Sequence, residues 1–124
     1  MPSSPPLIHS NEHTFLPSHV PSYRCATCTL ELTLQDELVS RAFQGGSGPA
    51  FLVRSAVNVE TGDKVRKMLL SGKHTIAPLK CSGCGTELGW KYFVSPGSSQ
   101  KYKEGKVILE QSKIYKDNKW RLDD

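Results

Sequence analysis

The chain has 124 residues, of which 37% are hydrophobic and 23% are charged, and its formal net charge at pH 7 is +4. This length predicts a single domain with a modest hydrophobic core. No apolar run approaches the roughly 20 residues of a membrane-spanning helix. Residues 1–10 also lack the basic and apolar regions of a secretory signal, so we expect an intracellular protein without a membrane partner.

Residues 1–21 predict a disordered tail, because they hold five of the eight prolines and little that could form a core. His9, His13 and His19 fall in this tail at irregular spacing, which favours a plain polar segment over a metal site. We expect the folded domain to occupy residues 22–124.

The remainder of the chain predicts a β-rich domain, because short runs of apolar and β-branched residues alternate with turn signals. Residues 36–43 predict one helical turn or an irregular connection. The predicted strands cover residues 51–59, 65–70 and 88–94, and residues 107–114 form a last strand or a short helix.

All four cysteines lie in two C-x-x-C pairs, Cys25–Cys28 and Cys81–Cys84, with 52 residues between the pairs. A single pair is compatible with a redox site. Two pairs with no cysteine left over predict one four-thiolate zinc site, because zinc prefers four such ligands in a tetrahedron. The alternative is four reduced, buried cysteines without a metal.

The two pairs differ in their neighbours. Gly83 and Gly85 favour the tight backbone curl of the second pair, whereas the first pair has no glycine and predicts a less regular turn. Arg24 and Lys80 each precede a pair by one residue, and we expect them to offset the negative charge of the thiolates.

We predict no catalytic residues. A zinc ion held by four cysteines has no open position for a catalytic water, and no thiol is left as a nucleophile. His74 is the one histidine in the predicted domain, and neither a second histidine nor a spaced carboxylate accompanies it. The enzymatic alternative is a redox enzyme of the sulfoxide reductase type, which requires a free reactive thiol.

The segment from residue 88 to residue 94 is aromatic, and alternation along a strand places Leu88, Trp90, Tyr92 and Val94 on one face. Such a stripe predicts either a core cluster or an aromatic-walled pocket for an apolar or cationic group. His74 is a candidate for the border of that pocket. We therefore predict a ligand or partner pocket at His74, Trp90 and Tyr92.

The segment from residue 91 to residue 121 is basic, with eight lysine and arginine residues against three acidic residues. It predicts either a solvated lysine-rich surface or a surface that binds nucleic acid or an acidic partner.

Eight short segments carry a resemblance to a known family. They are residues 23–28, 36–40, 43–45, 56–59, 71–74, 81–84, 88–92 and 99–106. Together with the spacing of the cysteine pairs, they closely resemble the Yippee family of small eukaryotic zinc-binding proteins over about residues 22–120.

The resemblance implies an all-β, mainly antiparallel fold, the β-tent, in which one structural Zn²⁺ on Cys25, Cys28, Cys81 and Cys84 holds two antiparallel sheets together. The ligand-binding domain of cereblon has a related fold, and its aromatic cage maps onto Trp90 and Tyr92. The resemblance further implies a non-catalytic recognition or adaptor protein of the nucleus and cytoplasm. Such a protein regulates cell growth or division through protein partners, among them a large ubiquitin-ligase assembly. The resemblance does not indicate an oligomeric state.

Overall fold

The computed structural model describes residues 13–119, and within this range the chain forms ten strands and three short 3₁₀ helices. The strands are β1 (Ser22–Cys25), β2 (Glu31–Leu34), β3 (Leu38–Gly45), β4 (Gly48–Val53), β5 (Val59–Thr61), β6 (Val65–Leu69), β7 (Gly72–Cys81), β8 (Glu87–Val94), β9 (Val107–Glu110) and β10 (Ile114–Asp117). The 3₁₀ helices are Gln35–Glu37, Ser98–Lys103 and Gln111–Lys113. None of the helices in residues 13–119 is long and apolar enough to cross a bilayer.

The strands form two sheets in which every pairing is antiparallel. The small sheet has the order β10-β1-β2, and the large sheet has seven strands in the order β3-β4-β9-β8-β7-β5, with β6 also paired to β7. The prediction of an all-β fold with two antiparallel sheets is confirmed.

The first core cluster lies between the two sheets and contains the buried cysteines. The rings of Tyr23 and Phe51 are 5.5 Å apart and join the small sheet to the large one. Burial of these apolar surfaces is the main force that holds the sheets together. The buried members are Tyr23, Cys25, Leu32, Phe51, Val53, Leu79, Cys81, Leu88, Val107, Leu109 and Ile114.

The second core cluster lies on the opposite face of the large sheet, because alternate residues of a strand point to opposite faces. Its buried members are Ala50, Leu52, Ile76, Tyr92 and Ile108. Phe43 of β3 and Leu69 of β6 both pack against this cluster, although their strands are at opposite edges of the sheet. The large sheet therefore curls so that its two edges approach each other over this face.

Three predictions of secondary structure needed correction. The strand over residues 51–59 is wrong, since β4 ends at Val53 and β5 begins at Val59. The helical turn over residues 36–43 is confined to Gln35–Glu37, and β3 follows it as a half-exposed edge strand. Residues 107–114 divide at a 3₁₀ corner, which passes the chain from the large sheet to the small one.

The predicted shared face of β8 is wrong for Leu88, because two irregularities interrupt the alternation of the strand. Lys80 pairs with Glu87 whereas Leu79 pairs with Gly89, so Leu88 is an extra residue in β8. Leu88 belongs to the first core cluster, whereas Trp90 and Tyr92 pack in the second.

Gly89 makes the first of these irregularities possible. Its φ is 156°, and a Cβ at this position would lie 2.0 Å from the carbonyl oxygen of Ile108. No other residue type fits there, because β8 approaches β9 too closely for a side chain.

The predicted tail is described only in part, and residues 1–12, including His9, lie outside the described residues. The Thr14 N–H donates to Asn58 Oδ1 at 2.7 Å, and Asn58 Nδ2 donates to the Thr14 carbonyl at 2.9 Å. Residues 13–21 therefore run beside the domain without joining a sheet. The domain boundary at residue 22 stays a prediction.

Candidate metal centre

The first cysteine pair lies in a tight turn that begins where β1 ends. The Thr29 N–H donates to the Cys25 carbonyl at 2.8 Å, and the Cys25 N–H donates to the Leu30 carbonyl at 2.9 Å. Thr29 has a φ of 68°, which is the left-handed region that a residue with a side chain adopts at a cost of about 1–2 kcal/mol. The turn is held in this conformation by its own hydrogen bonds.

The second pair repeats the same turn at the end of β7. The Gly85 N–H donates to the Cys81 carbonyl at 2.8 Å, and the Cys81 N–H donates to the Thr86 carbonyl at 2.9 Å. Gly85 has a φ of 80° and occupies the position that Thr29 occupies in the first turn. The prediction that the first turn is less regular is therefore wrong, because Thr29 accepts the conformation that glycine adopts freely.

The four sulfur atoms form one cluster, in which all lie within 4.8 Å of one another. Cys25 Sγ is 3.7 Å from Cys84 Sγ, and Cys28 Sγ is 3.5 Å from Cys81 Sγ. A tetrahedral zinc ion with Zn–S bonds of about 2.3 Å requires sulfur atoms roughly 3.8 Å apart. The separations fit that requirement and are far too long for disulfide bonds.

Gly83 contributes to the site through its small size. A Cβ at this position would lie 3.3 Å from Cys28 Sγ and 3.0 Å from Leu30 Cδ2. The glycine thus lets the second turn approach the first closely enough for the sulfur atoms to share one ion.

The thiols of Cys28, Cys81 and Cys84 differ in pKa. Burial raises the pKa of Cys28, and it raises the pKa of Cys81 to about 12. The Thr86 hydroxyl lies 3.0 Å from Cys84 Sγ and lowers the pKa of Cys84 to about 7. Because zinc binds thiolates, it must displace the protons of the buried thiols, and its affinity rises with pH.

Arg24 does not act on the thiolates as expected. Its Nε donates to Asp117 Oδ2 at 2.7 Å, and its guanidinium also donates to the Thr29 carbonyl at 2.7 Å. These hydrogen bonds stabilise the first turn and connect it to β10. Lys80 keeps an exposed side chain.

A buried ion pair beside Arg24 was missed from the sequence. Lys119 Nζ lies 2.6 Å from Glu31 Oε2, and the two side chains are only 7% and 11% exposed. Arg24 and Ser22 also donate to Glu31. No local pattern signals this pair, because its members are 88 residues apart in the chain.

A cleft of about 620 Å³ opens on the face of the large sheet that carries the second core cluster. Trp90 and Tyr92 line it, and their rings meet edge to face at 6.1 Å. His74 does not line it, since it is 1% exposed and stands behind Tyr92 at 5.3 Å between ring centroids. Its Nδ1 donates to the Gly72 carbonyl at 2.8 Å.

Most of the cleft could not be predicted from the sequence. β3 and β6 form its two sides, and Lys103 reaches it from the second 3₁₀ helix. These residues come together only because the sheet curls. The lining comprises Ala42, Phe43, Gln44, Gly45, Gly46, Lys67, Met68, Leu69, Leu70, Ser71, Ile76, Trp90, Tyr92 and Lys103.

Comparison with known proteins supports the assignment of a zinc site. A family model described as "Yippee zinc-binding/DNA-binding /Mis18, centromere assembly" matches residues 22–122. The proteins named yippee-like 4 of Homo sapiens and of Mus musculus are each 46% identical over 107 residues, which is 86% of this chain and 84% of theirs.

The fold has a match among solved structures. A crystal structure of the Mis18 "Yippee-like" domain superimposes with a TM-score of 0.61 at 18% identity, over 83% of this chain and 97% of that one. At this identity the match supports the fold alone. The family match, the relatives and the four sulfur atoms spaced for one zinc ion lead to the same conclusion: the chain belongs to the Yippee-Mis18 family of zinc-binding proteins.

Proposed function

We propose that this protein is a non-catalytic recognition module, in which the zinc ion stabilises the fold and the cleft binds a partner protein. The observation that carries the proposal is the cleft and its apolar rim. Met68 is 67% exposed and Leu70 is 101% exposed, and both lie on the β6–β7 hairpin beside the cleft. Large apolar side chains exposed together beside a concave site are typical of a binding surface.

The zinc site supports a structural role. Its four ligands come from turns at the ends of β1 and β7, so the ion joins the small sheet to the large one. A zinc ion with four protein sulfur ligands has no open coordination position for substrate or water. Within residues 13–119, the four cysteines are the one group of three or more metal-binding side chains.

We further propose that the recognition serves the regulation of cell growth or division in the nucleus and cytoplasm, with a ubiquitin-ligase assembly among the partners. Membership of the family supports this role. The matching family description also names centromere assembly for Mis18, which is a process of cell division.

The test is affinity capture from cell extract with the full-length protein and its Trp90→Ala variant. Trp90 has the largest side chain in the lining, so we expect specific partners to be lost when its indole is removed. Phe93→Ala is the matched control, because Phe93 lies on the same strand but is absent from the lining and instead contacts Lys64 and Lys91.

Zinc content and melting temperature establish that each variant is folded. A folded Trp90→Ala protein that retains all partners of the wild type would refute recognition through the cleft.

A second candidate function is the binding of nucleic acid, which the words "DNA-binding" in the family description favour. Three lysines of this basic segment are buried or form ion pairs within the domain. Lys103 is buried, Lys119 pairs with Glu31, and Lys101 pairs with Glu104 at 3.0 Å.

Nucleic-acid binding predicts an affinity that falls steeply with salt, because counterions are released when phosphates are neutralised. Titration of duplex DNA and single-stranded RNA between 50 and 200 mM salt, the range of about fourfold over which such losses are large, measures the slope. Absent or salt-independent binding would reject this function.

A further inference from the structure

The cleft is positively charged as well as apolar. Its lining contains two lysines, Lys67 and Lys103, and no aspartate or glutamate. Ile76, Trp90 and Tyr92 supply an apolar and aromatic surface beneath them. A ligand that complements this lining combines an apolar body with a negative charge.

Lys103 is the unusual member of the lining, because it is only 5% exposed. Its Nζ donates to Ser71 Oγ at 2.8 Å and lies 5.3 Å and 5.5 Å from the ring centroids of Phe43 and Tyr92. Aromatic faces attract a cation over such distances, but they do not replace a counterion. An ammonium has three N–H donors, and the Ser71 hydroxyl takes one of them.

Among residues 13–119, no carboxylate forms an ion pair with Lys103. The adjacent Glu104 accepts from the Ser95 N–H at 2.9 Å and from Lys101 at 3.0 Å. The buried Glu110 accepts from the Gly46 N–H at 2.9 Å and from the Ser47 hydroxyl. Both acids are committed to other donors.

Lys119, the other lysine with a buried side chain, has a carboxylate as its counterion. Its side chain is 7% exposed, and Glu31 lies 2.6 Å from its Nζ. Burial of an ammonium without a counterion is costly, and it lowers the pKa of Lys103. The structure therefore retains a cation in the cleft at a cost in stability, as expected for a group that binds a ligand.

We propose that the cleft binds an extended peptide of the partner in which a carboxylate contacts Lys103 and flanking apolar side chains contact Trp90 and the Met68–Leu70 rim. This inference rests on the proposed recognition function and names the chemistry of the partner. The cleft lies between β3 and β6, which are edge strands of the described sheet with unpaired backbone groups. Such edges suit an extended chain.

The test uses two capped peptides with polar ends and a central Phe-Ser-Asp-Ser-Phe or Phe-Ser-Asn-Ser-Phe, because residues two apart in an extended chain lie on one face. Binding to the full-length, zinc-loaded protein is followed by the NMR signal of the Trp90 indole N–H and by calorimetry. We expect the Asp peptide to shift this signal and to bind about tenfold or more tightly than the Asn peptide, because a charge-assisted hydrogen bond is replaced by a neutral one.

Lys103→Met should remove the preference for the Asp peptide, because the side chain keeps its length and loses its charge. Lys116→Met is the matched control, since Lys116 is an exposed lysine on β10 of the small sheet. Met68→Glu provides a variant at an exposed position, where folding is not at risk. It should weaken both peptides, because an apolar contact of the rim is lost, and it should weaken the Asp peptide more, because the new carboxylate repels the aspartate.

Equal binding of the two peptides, or an unchanged preference in Lys103→Met, would overturn the proposal. Tighter binding of a free aromatic acid, 2-naphthoate, than of the Asp peptide would overturn the assignment to a peptide. If the peptides bind alike while Trp90→Ala still loses partners, the carboxylate assignment alone fails. If Trp90→Ala loses no partner and neither peptide binds, the recognition function fails with it.

Discussion

The two faces of the seven-stranded sheet are covered in different ways. The face with Phe51 and Val53 is sealed by the small sheet and by the cysteine turns, and the buried lysine beside that small sheet has a carboxylate partner. The face with Ala50 and Leu52 is covered only where β3 and β6 curl over it, and its buried lysine has no such partner among the described residues. The difference supports a stabilising role for the first face and underlies the binding role that we propose for the second.

The largest expected effect is the loss of zinc from the sealed face. Cys81→Ser should bind less than about half an equivalent of zinc and lose cooperative thermal unfolding. A structural zinc contributes about 10 kcal/mol or more to folding, which is comparable to the whole stability of a small domain. Metal analysis and thermal melts measure both effects.

Ser82→Ala is the control for this substitution, because it changes the same turn and leaves the sulfur atoms in place. A wild-type protein that keeps its melting temperature after complete removal of zinc by a chelator would contradict the structural role.

The next effect concerns Gly89, which lies in β8 between Leu88 of the first core cluster and Trp90 of the second. Gly89→Ala should lower the free energy of unfolding by at least about 3 kcal/mol, because its Cβ would lie 2.0 Å from the Ile108 carbonyl oxygen. Gly97→Ala should cost only about 1–2 kcal/mol, since Gly97 has a φ of 66° but open space around it. Urea unfolding compares them, and equal losses would refute the close approach of β8 to β9.

The two buried lysines, one beside the small sheet and one in the cleft, give the sharpest contrast. Lys119→Met should lower the free energy of unfolding by about 2 kcal/mol, because Glu31 loses its closest cation and keeps weaker donors. Lys103→Met should leave stability unchanged or raise it, because an unpaired buried charge is replaced by an apolar group. Urea unfolding measures both, and losses of equal size would show that Lys103 is structural.

The smallest effect is a dependence on pH. Burial works to raise the pKa of Glu31, but hydrogen bonds from Lys119 and Ser22 outweigh it, so the pKa lies below its usual 4.5. A carboxylate with a lowered pKa stabilises the fold fully above its unfolded-state value, and this contribution is lost as the pH falls through the folded-state value.

The free energy of unfolding of wild type minus that of Glu31→Gln isolates this contribution from the effects of metal loss. We expect the difference to be constant above about pH 5 and to shrink below about pH 4.5. Glu87→Gln, which alters an exposed carboxylate, should show no such change. A difference that grows toward acid pH would contradict the assignment.

Much of the metal centre was accessible from the sequence, because the spacing within C-x-x-C determines which sulfur atoms can share one ion. The regular first turn was not, since a threonine in the left-handed region carries no sequence signal. The strand carrying Trp90 was predicted, but its bulges were not, and therefore Leu88 was placed on the wrong face. His74 was expected beside the ligand and instead supports Tyr92 from behind.

Local chemistry alone determined the all-β class, the four cysteine ligands and the aromatic strand, because each depends on residues within a few positions of one another. Only the tertiary structure decided where the charges lie and what the cleft contains. The Lys119–Glu31 pair and the lining of the cleft join residues that are distant in the chain. Lys119 and Glu31 meet because β10 and β2 flank β1 in the small sheet, and the lining of the cleft comes together because the edges of the large sheet curl over one face.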